Sequence, residues 1–214
     1  MTALPNPSGR LIHYSRATGK TKVLLDKIFF ANGVALSPSE DFLVVSDTFA
    51  ARLIKVWLKG DKKGRNEVFI DGLPGTPDNL SFDNDGIWVA LASAIDEKNP
   101  MPAHLLASFP LIRKFLARLL ELIKLPFSFV ESFYPNSLTQ FVCREFMSMD
   151  MIMFLIPPRR TIIRLDWDGN IVKSLHGSDN SAGSVTHALL VDDELYMGSV
   201  TSKFIARVKI AKGD

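Results

Sequence analysis

The sequence predicts an all-β protein: a β-propeller of about three blades, interrupted by an amphipathic helical lid. Two observations carry that prediction. About a dozen short apolar runs follow one another at intervals of roughly ten residues, each bounded by turn residues, as in a sandwich, barrel or propeller. Three segments also repeat one another: "NGVALSPSEDFLVVSDT" from Asn32, "NLSFDNDGIWVALAS" from Asn79 and "HALLVDDELYMGSVTS" from His187. Each runs from a polar residue through a short strand and an acidic or Ser/Asn-rich turn to an apolar strand ending in Ser or Thr. Asn79 lies 47 positions after Asn32, close to the repeat of about 40–50 residues expected of a four-stranded blade.

In chain order, "RLIHYS" (10–15) and "KVLLDKI" (22–28) flank the Gly-containing turn "RATGKT" and form the outer half of a blade. "GVALS", "FLVVSD", "RLIKVWL" and "EVFID" supply a complete blade. "NLSFD" and "GIWVALA" open a third, which "TIIRLDW" and "NIVKSLHG" finish after an insertion, and "ALLVDD", "ELYMGSV" and "FIARVKI" give three strands of a last one. The expected organisation is propeller strands over 1–98, an insertion over 99–160, and the rest of the middle and last blades over 161–214. Closed propellers use typically 4–8 blades. The chain therefore reads as an unclosed arc, the C-terminal half of a larger protein. Two copies would close a ring, although nothing in the sequence demonstrates a homodimer.

Composition narrows the function classes. The 214 residues are 47% hydrophobic and 22% charged, which fits a folded domain with one substantial core. The net charge of +2 offers no electrostatic case for a nucleic-acid partner. Cys143, the single cysteine, excludes an internal disulfide and a cysteine-cluster metal site, and it has no His or Cys neighbour to make it a catalytic thiol. The N-terminus lacks a signal-peptide pattern and no run approaches the ~20 apolar residues of a membrane span, so the chain as written is expected to be soluble.

Within the insertion, "FPLIRKFLARLLELIKLP" (109–126) is expected to be a helix that starts at Ser108 and Pro110 and stops at Pro126. Phe109, Ile112, Leu116, Leu119, Leu120 and Ile123 recur at helical steps, while Arg113, Lys114, Arg118, Glu121 and Lys124 take much of the remaining surface. That face either packs as a lid over the propeller or lies on a membrane surface. Residues 136–160 hold four of the seven methionines and fit neither pattern.

Asn32-Gly33 poses a puzzle. The hairpin bend is at "SPSED" (37–41), so the pair lies upstream of the turn it would ordinarily make. On the residues alone, it and Pro77-Asp78-Asn79 read as turns or loops leading into strands.

The segments "GRLIHYSRATGKTKVLLDKIFFANGVALSPSEDFLVVSDT", "RLIKVWLKG", "LPGTPDNLS", "IWVALAS" and "ELYMGSVTSKFIARVKI" resemble the strictosidine-synthase-like six-bladed propellers. The similarity covers about residues 10–98 and 160–210. It implies a calcium-dependent propeller in which Asn32, Asp78 and Asn79 sit at the starts of inner strands and point their oxygens into the central tunnel. Calcium takes 6–8 hard oxygen ligands, so amide and carboxylate groups suit it. The family's further glutamate ligand has no counterpart here, which leaves the site incomplete.

The resemblance further implies a parent that hydrolyses small esters or lactones, or else a non-catalytic, membrane-associated binding propeller of the endoplasmic reticulum lumen or cell surface; the 214 residues by themselves are expected to be an inactive truncated fragment. True strictosidine synthesis is not expected, because the catalytic glutamate aligns with Thr186, whose hydroxyl cannot act as a carboxylate base. His187, a lone histidine beside a strand, is expected to be structural, and His104 in the insertion has no paired carboxylate nearby. The sequon at Asn79 is expected to be accidental, its asparagine facing inward and out of reach.

Overall fold

The computed structural model describes residues 7–94, 109–145, 160–177 and 183–210. The chain falls into two compact units: a β unit, residues 6–96 with 158–214, and a unit within 97–157 whose described residues are helical.

The β unit holds four antiparallel sheets. β1 (Gly9–Tyr14) and β2 (Thr21–Ile28) form a two-stranded sheet. β3 (Ala31–Leu36), β4 (Phe42–Asp47), β5 (Arg52–Trp57) and β6 (Asn66–Ile70) form a four-stranded meander. β7 (Gly75–Asp83) and β8 (Gly86–Ala94) join β9 (Arg160–Leu165) and β10 (Ile171–Gly177) in a second meander. β11 (Val185–Val191), β12 (Glu194–Ser199) and β13 (Ala206–Lys209) complete the set. This is a β-propeller arc, with β3, β7 and β11 as neighbouring inner strands. The insertion joins β8 directly to its hydrogen-bonded partner β9.

Alternation along each strand explains how the blades stack, because successive side chains leave a sheet on opposite faces. Leu43, Val45, Ile54 and Val56 pack against Leu11 and Ile28 of the first sheet. Val44 and Leu53, one step out of phase, pack instead against Ile87, Val89 and Leu91 of the next blade. Trp88 and Ala90 face the last sheet and meet Val185, Ala188 and Leu195. A blade strand is thus apolar on both faces, which is why "FLVV" and "IWVALA" run without polar interruption. Each such Leu or Ile contributes about 1.5–3 kcal/mol by leaving water. Phe42 and Trp167 add an edge-on ring contact at 5.8 Å, and the Trp167 indole N–H donates to the Asp83 carbonyl at 3.2 Å.

The helical unit departs from expectation at its end. Helix α1 spans Pro110–Phe133, so Pro126 lies inside it and does not end it. The chain continues helically because the following turn supplies its own support: Phe129 and Phe133 make a tilted ring contact at 5.1 Å, and the Tyr134 N–H closes on the Val130 carbonyl. Pro110 occupies the first turn, where its missing N–H costs nothing, while Ser108 lies outside the described residues. A short helix α2 (Ser137–Gln140) follows, with Asn136 and Thr139 forming a reciprocal cap. Much of 136–160 also lies outside the described residues.

Candidate functional site

Each inner strand departs from regular pairing at the same point. In β3 the register slips between Ala31 and Val34, which brackets Asn32-Gly33. In β7 it slips between Pro77 and Leu80, which brackets Asp78-Asn79. In β11 it slips between Val185 and His187, which brackets Thr186. A β-bulge re-aims the side chain it carries and is enriched beside functional sites. Three neighbouring inner strands therefore each turn one polar position out of the regular pleat. Asp78 and Asn79 lie in the middle of β7, not at its start as expected, because Gly75, Thr76 and Pro77 already belong to the strand.

The bulges bring the three predicted residues together. The Asn32 amide nitrogen donates to Asp78 Oδ1 at 2.6 Å across the blade boundary. Asn79 Nδ2 donates to the same oxygen at 3.2 Å and to the Thr186 carbonyl at 3.1 Å, so the cluster spans three blades. Gly33 makes this approach achievable: a Cβ there would stand 2.4 Å from the Leu80 nitrogen and 2.6 Å from the Asp78 oxygen. Asn32-Gly33 is accordingly no turn; its glycine lets β3 lie against the β7 backbone while its asparagine reaches Asp78.

Burial pushes the Asp78 carboxyl above its ordinary range, while the Asn32 amide and the Asn79 backbone N–H pull it back. Asn79 is exposed in this chain, contrary to the expected inaccessibility, because no described strand covers it. The donor set is one carboxylate, two side-chain amides and the Thr186 carbonyl. All offer hard oxygens of the kind calcium prefers, and the two amides present nitrogen and oxygen in the same shape. The residues fit part of a calcium shell. Among the described residues no group of three or more His, Cys, Asp or Glu gathers anywhere.

Around this cluster lies a set of hydroxyl ties that the motif reading missed. Ser46 Oγ donates to the Asp78 carbonyl at 2.8 Å and Thr48 Oγ1 to the Pro77 carbonyl at 2.7 Å. Ser81 donates to the Ala188 carbonyl and Ser184 to the Ala92 carbonyl. Every tie runs from one blade to the backbone of the next. The Ser/Thr ending of the first repeat was the available signal for Ser46 and Thr48, whereas Ser81 and Ser184 lie outside such endings. Asp47, wholly buried, takes the Phe29 N–H and pairs with Arg52 at 2.9 Å, and is thereby a structural carboxylate.

Of the face residues expected in the insertion, Phe109, which caps the start of α1, and Ile112, Leu119 and Ile123 are exposed, whereas Leu116 and Leu120 are half-buried.

Stacked antiparallel blades with a polar cluster on their inner strands make this chain similar to the propellers of strictosidine-synthase-like type. The strictosidine synthase family matches residues 2–61. The chain is 51% identical over 207 residues to the adipocyte plasma membrane-associated protein hemomucin of Drosophila melanogaster, covering 97% of this chain and 36% of that protein. It is 30% identical over 204 residues to the adipocyte plasma membrane-associated protein of Homo sapiens, covering 94% and 42%. A strictosidine synthase-like protein 6 of Arabidopsis thaliana is 30% identical over 207 residues, covering 96% and 46%. The chain thus spans less than half the length of these curated relatives. Among solved structures, a luciferin-regenerating enzyme superposes with a TM-score of 0.53 at 16% identity, covering 96% of this chain and 52% of that one.

Proposed function

We propose that this propeller belongs to a calcium-dependent hydrolase of small esters or lactones, in which Asn32, Asp78 and Asn79 hold the ion. The observation that carries the reading is the convergence of these residues from two blades onto one carboxylate oxygen at two matched bulges. Bound calcium would supply Lewis-acid polarisation of an ester carbonyl. The residues' own part is to place and neutralise charge: Asp78 offers the anion, Asn32 and Asn79 orient it, and Ser46 and Thr48 fix the strand that bears it. Thr186 supplies no carboxylate, which argues against strictosidine synthesis.

The test is calorimetric titration with calcium, paired with an aryl-ester assay. Calcium-dependent turnover that ceases on chelation and in Asn79→Ala is expected. A rate indifferent to chelator and to that substitution rejects the reading.

A second reading is a membrane-associated binding propeller without chemistry, working at the cell surface or in the endoplasmic reticulum lumen. Two relatives carry membrane association in their names, and no described helix here is long and apolar enough to cross a bilayer. Binding to membranes or glycans that persists in the Asn32→Ala/Asn79→Ala variant supports it; loss of binding in that variant counts against it.

A further inference from the structure

We infer that α1 lies flat in the interface of an anionic lipid bilayer, as the element through which the chain meets a membrane. The inference rests on the membrane-associated reading just given and is independent of any hydrolysis.

At 3.6 residues per turn, the apolar side chains of α1 occupy about half its circumference over a length of about 36 Å. Leu111, Phe115, Leu122, Phe129 and Phe133 run along one side of that half and are 62–78% exposed. Ile112, Leu119, Ile123 and Val130 flank them and are exposed as well. A single partner helix covers only the narrow stripe of a coiled-coil seam. A half-cylinder of bulky, exposed side chains suits a plane.

The polar half identifies the plane's chemistry. Arg118 borders the exposed apolar face beside Leu111 and Phe129, with Lys114 next to it, while Lys124 lies on the far side of the helix. Long cationic stems at such borders reach up to headgroup phosphates while their methylenes stay with the chains. Glu121 sits in the polar half, away from the plane. Glu131, the other described acid of the helix, is engaged by the Thr139 hydroxyl of α2. Tyr134, 73% exposed, ends the helix with an aromatic ring and a hydroxyl, a pairing favoured at the headgroup level. The helix carries too many charges to cross the bilayer.

The experiment is flotation of the whole chain with vesicles of phosphatidylcholine alone or with about 30 mol% phosphatidylserine. The protein should rise with the anionic vesicles. Phe115→Asp/Phe129→Asp, at exposed sites and checked for an unchanged melting curve, should reduce recovery by about tenfold or more. Arg118→Glu/Lys114→Glu should remove only the phosphatidylserine-dependent, salt-sensitive part. In Phe129→Trp, emission should be quenched by brominated acyl chains.

Wild-type protein that stays out of both vesicle fractions overturns the inference together with the membrane reading. Flotation unchanged in Phe115→Asp/Phe129→Asp overturns the inference alone, since another element then holds the membrane. A sedimentation dimer that vesicles leave intact and that the same variant dissociates assigns the face to a second copy and also overturns it.

Discussion

Asp78 is a half-buried acid whose hydrogen bonds do not fully offset its desolvation. Its folded pKa is raised above the ordinary 3.8. The unfolded chain therefore releases that proton first, and the metal-free fold loses stability as pH climbs from about 3.8 through the raised value. Asp78→Asn should melt higher than the parent at neutral pH in chelator and match it at about pH 3. The same substitution should abolish any calcium-induced rise in melting temperature, and in the parent that rise should fade on acidification, since only the ionised carboxylate binds. Calorimetry across pH with and without calcium checks each point. At Gly33 the expected effect is steric. Gly33→Ala forces a methyl into the Leu80 and Asp78 backbone and should cost about 1–3 kcal/mol in a denaturant melt. These residues were only half legible in sequence. Asn32, Asp78 and Asn79 stood out through family motifs, but their meeting depends on bulges and a strand-to-strand approach that residue spacing does not encode. Ser46 and Ser81 look like ordinary strand hydroxyls until the neighbouring blade is in place.

At the scale of elements, strands were legible because blade strands are buried on both faces, and the turns between them carry Gly, Pro, Asn and Asp. β7 was the exception: Pro77 reads as a strand breaker, yet it sits at the bulge, where no ladder hydrogen bond is needed from it. Pro126 misled for the converse reason, since a helix tolerates an internal proline when the turns on either side are strong enough. Pro126→Ala restores the missing donor and removes the ring clash, a local gain of up to ~3 kcal/mol. Slower amide exchange over residues 119–130 should report it. Arg164 ties β9 to β7 through Asp83, with its guanidinium over Trp88 at 5.0 Å. Burial pushes the Asp83 carboxyl up, but Arg164 and the Asp85 and Gly86 N–H groups outweigh it and hold it below its ordinary range. The stabilisation is therefore present above that range and fades as pH falls through the lowered value. Asp83→Asn leaves the arginine without its counter-charge and should cost about 1–3 kcal/mol at neutral pH.

For the molecule as a whole, the number of sheets and their order followed from the repeat, because each blade is one supersecondary unit stacked on its neighbours. The repeat could not show what its two outer blades present. The first sheet exposes Ile12, Tyr14 and Val23 on its outer face, and the last exposes Leu189 and Val191. Between adjacent blades the corresponding faces are sealed by Leu, Ile and Val. We expect these end faces to drive concentration-dependent association of the isolated chain. Analytical ultracentrifugation of the parent against Ile12→Lys/Leu189→Lys should show the association weakened in the variant.

The register of β8 on β9, from Ile87 opposite Leu165 to Leu91 opposite Thr161, runs unbroken although the chain leaves between them for the whole helical unit. In effect a hairpin has had its bend exchanged for a module. Closing so long a connection instead of a short turn costs at most about 2–3 kcal/mol, since the entropy grows only with the logarithm of length. The joint is therefore an exchangeable socket: replacing residues 95–159 by a tight turn should leave the blade intact and somewhat firmer. A lineage could trade one appended module for another there without redesigning the ring that carries it.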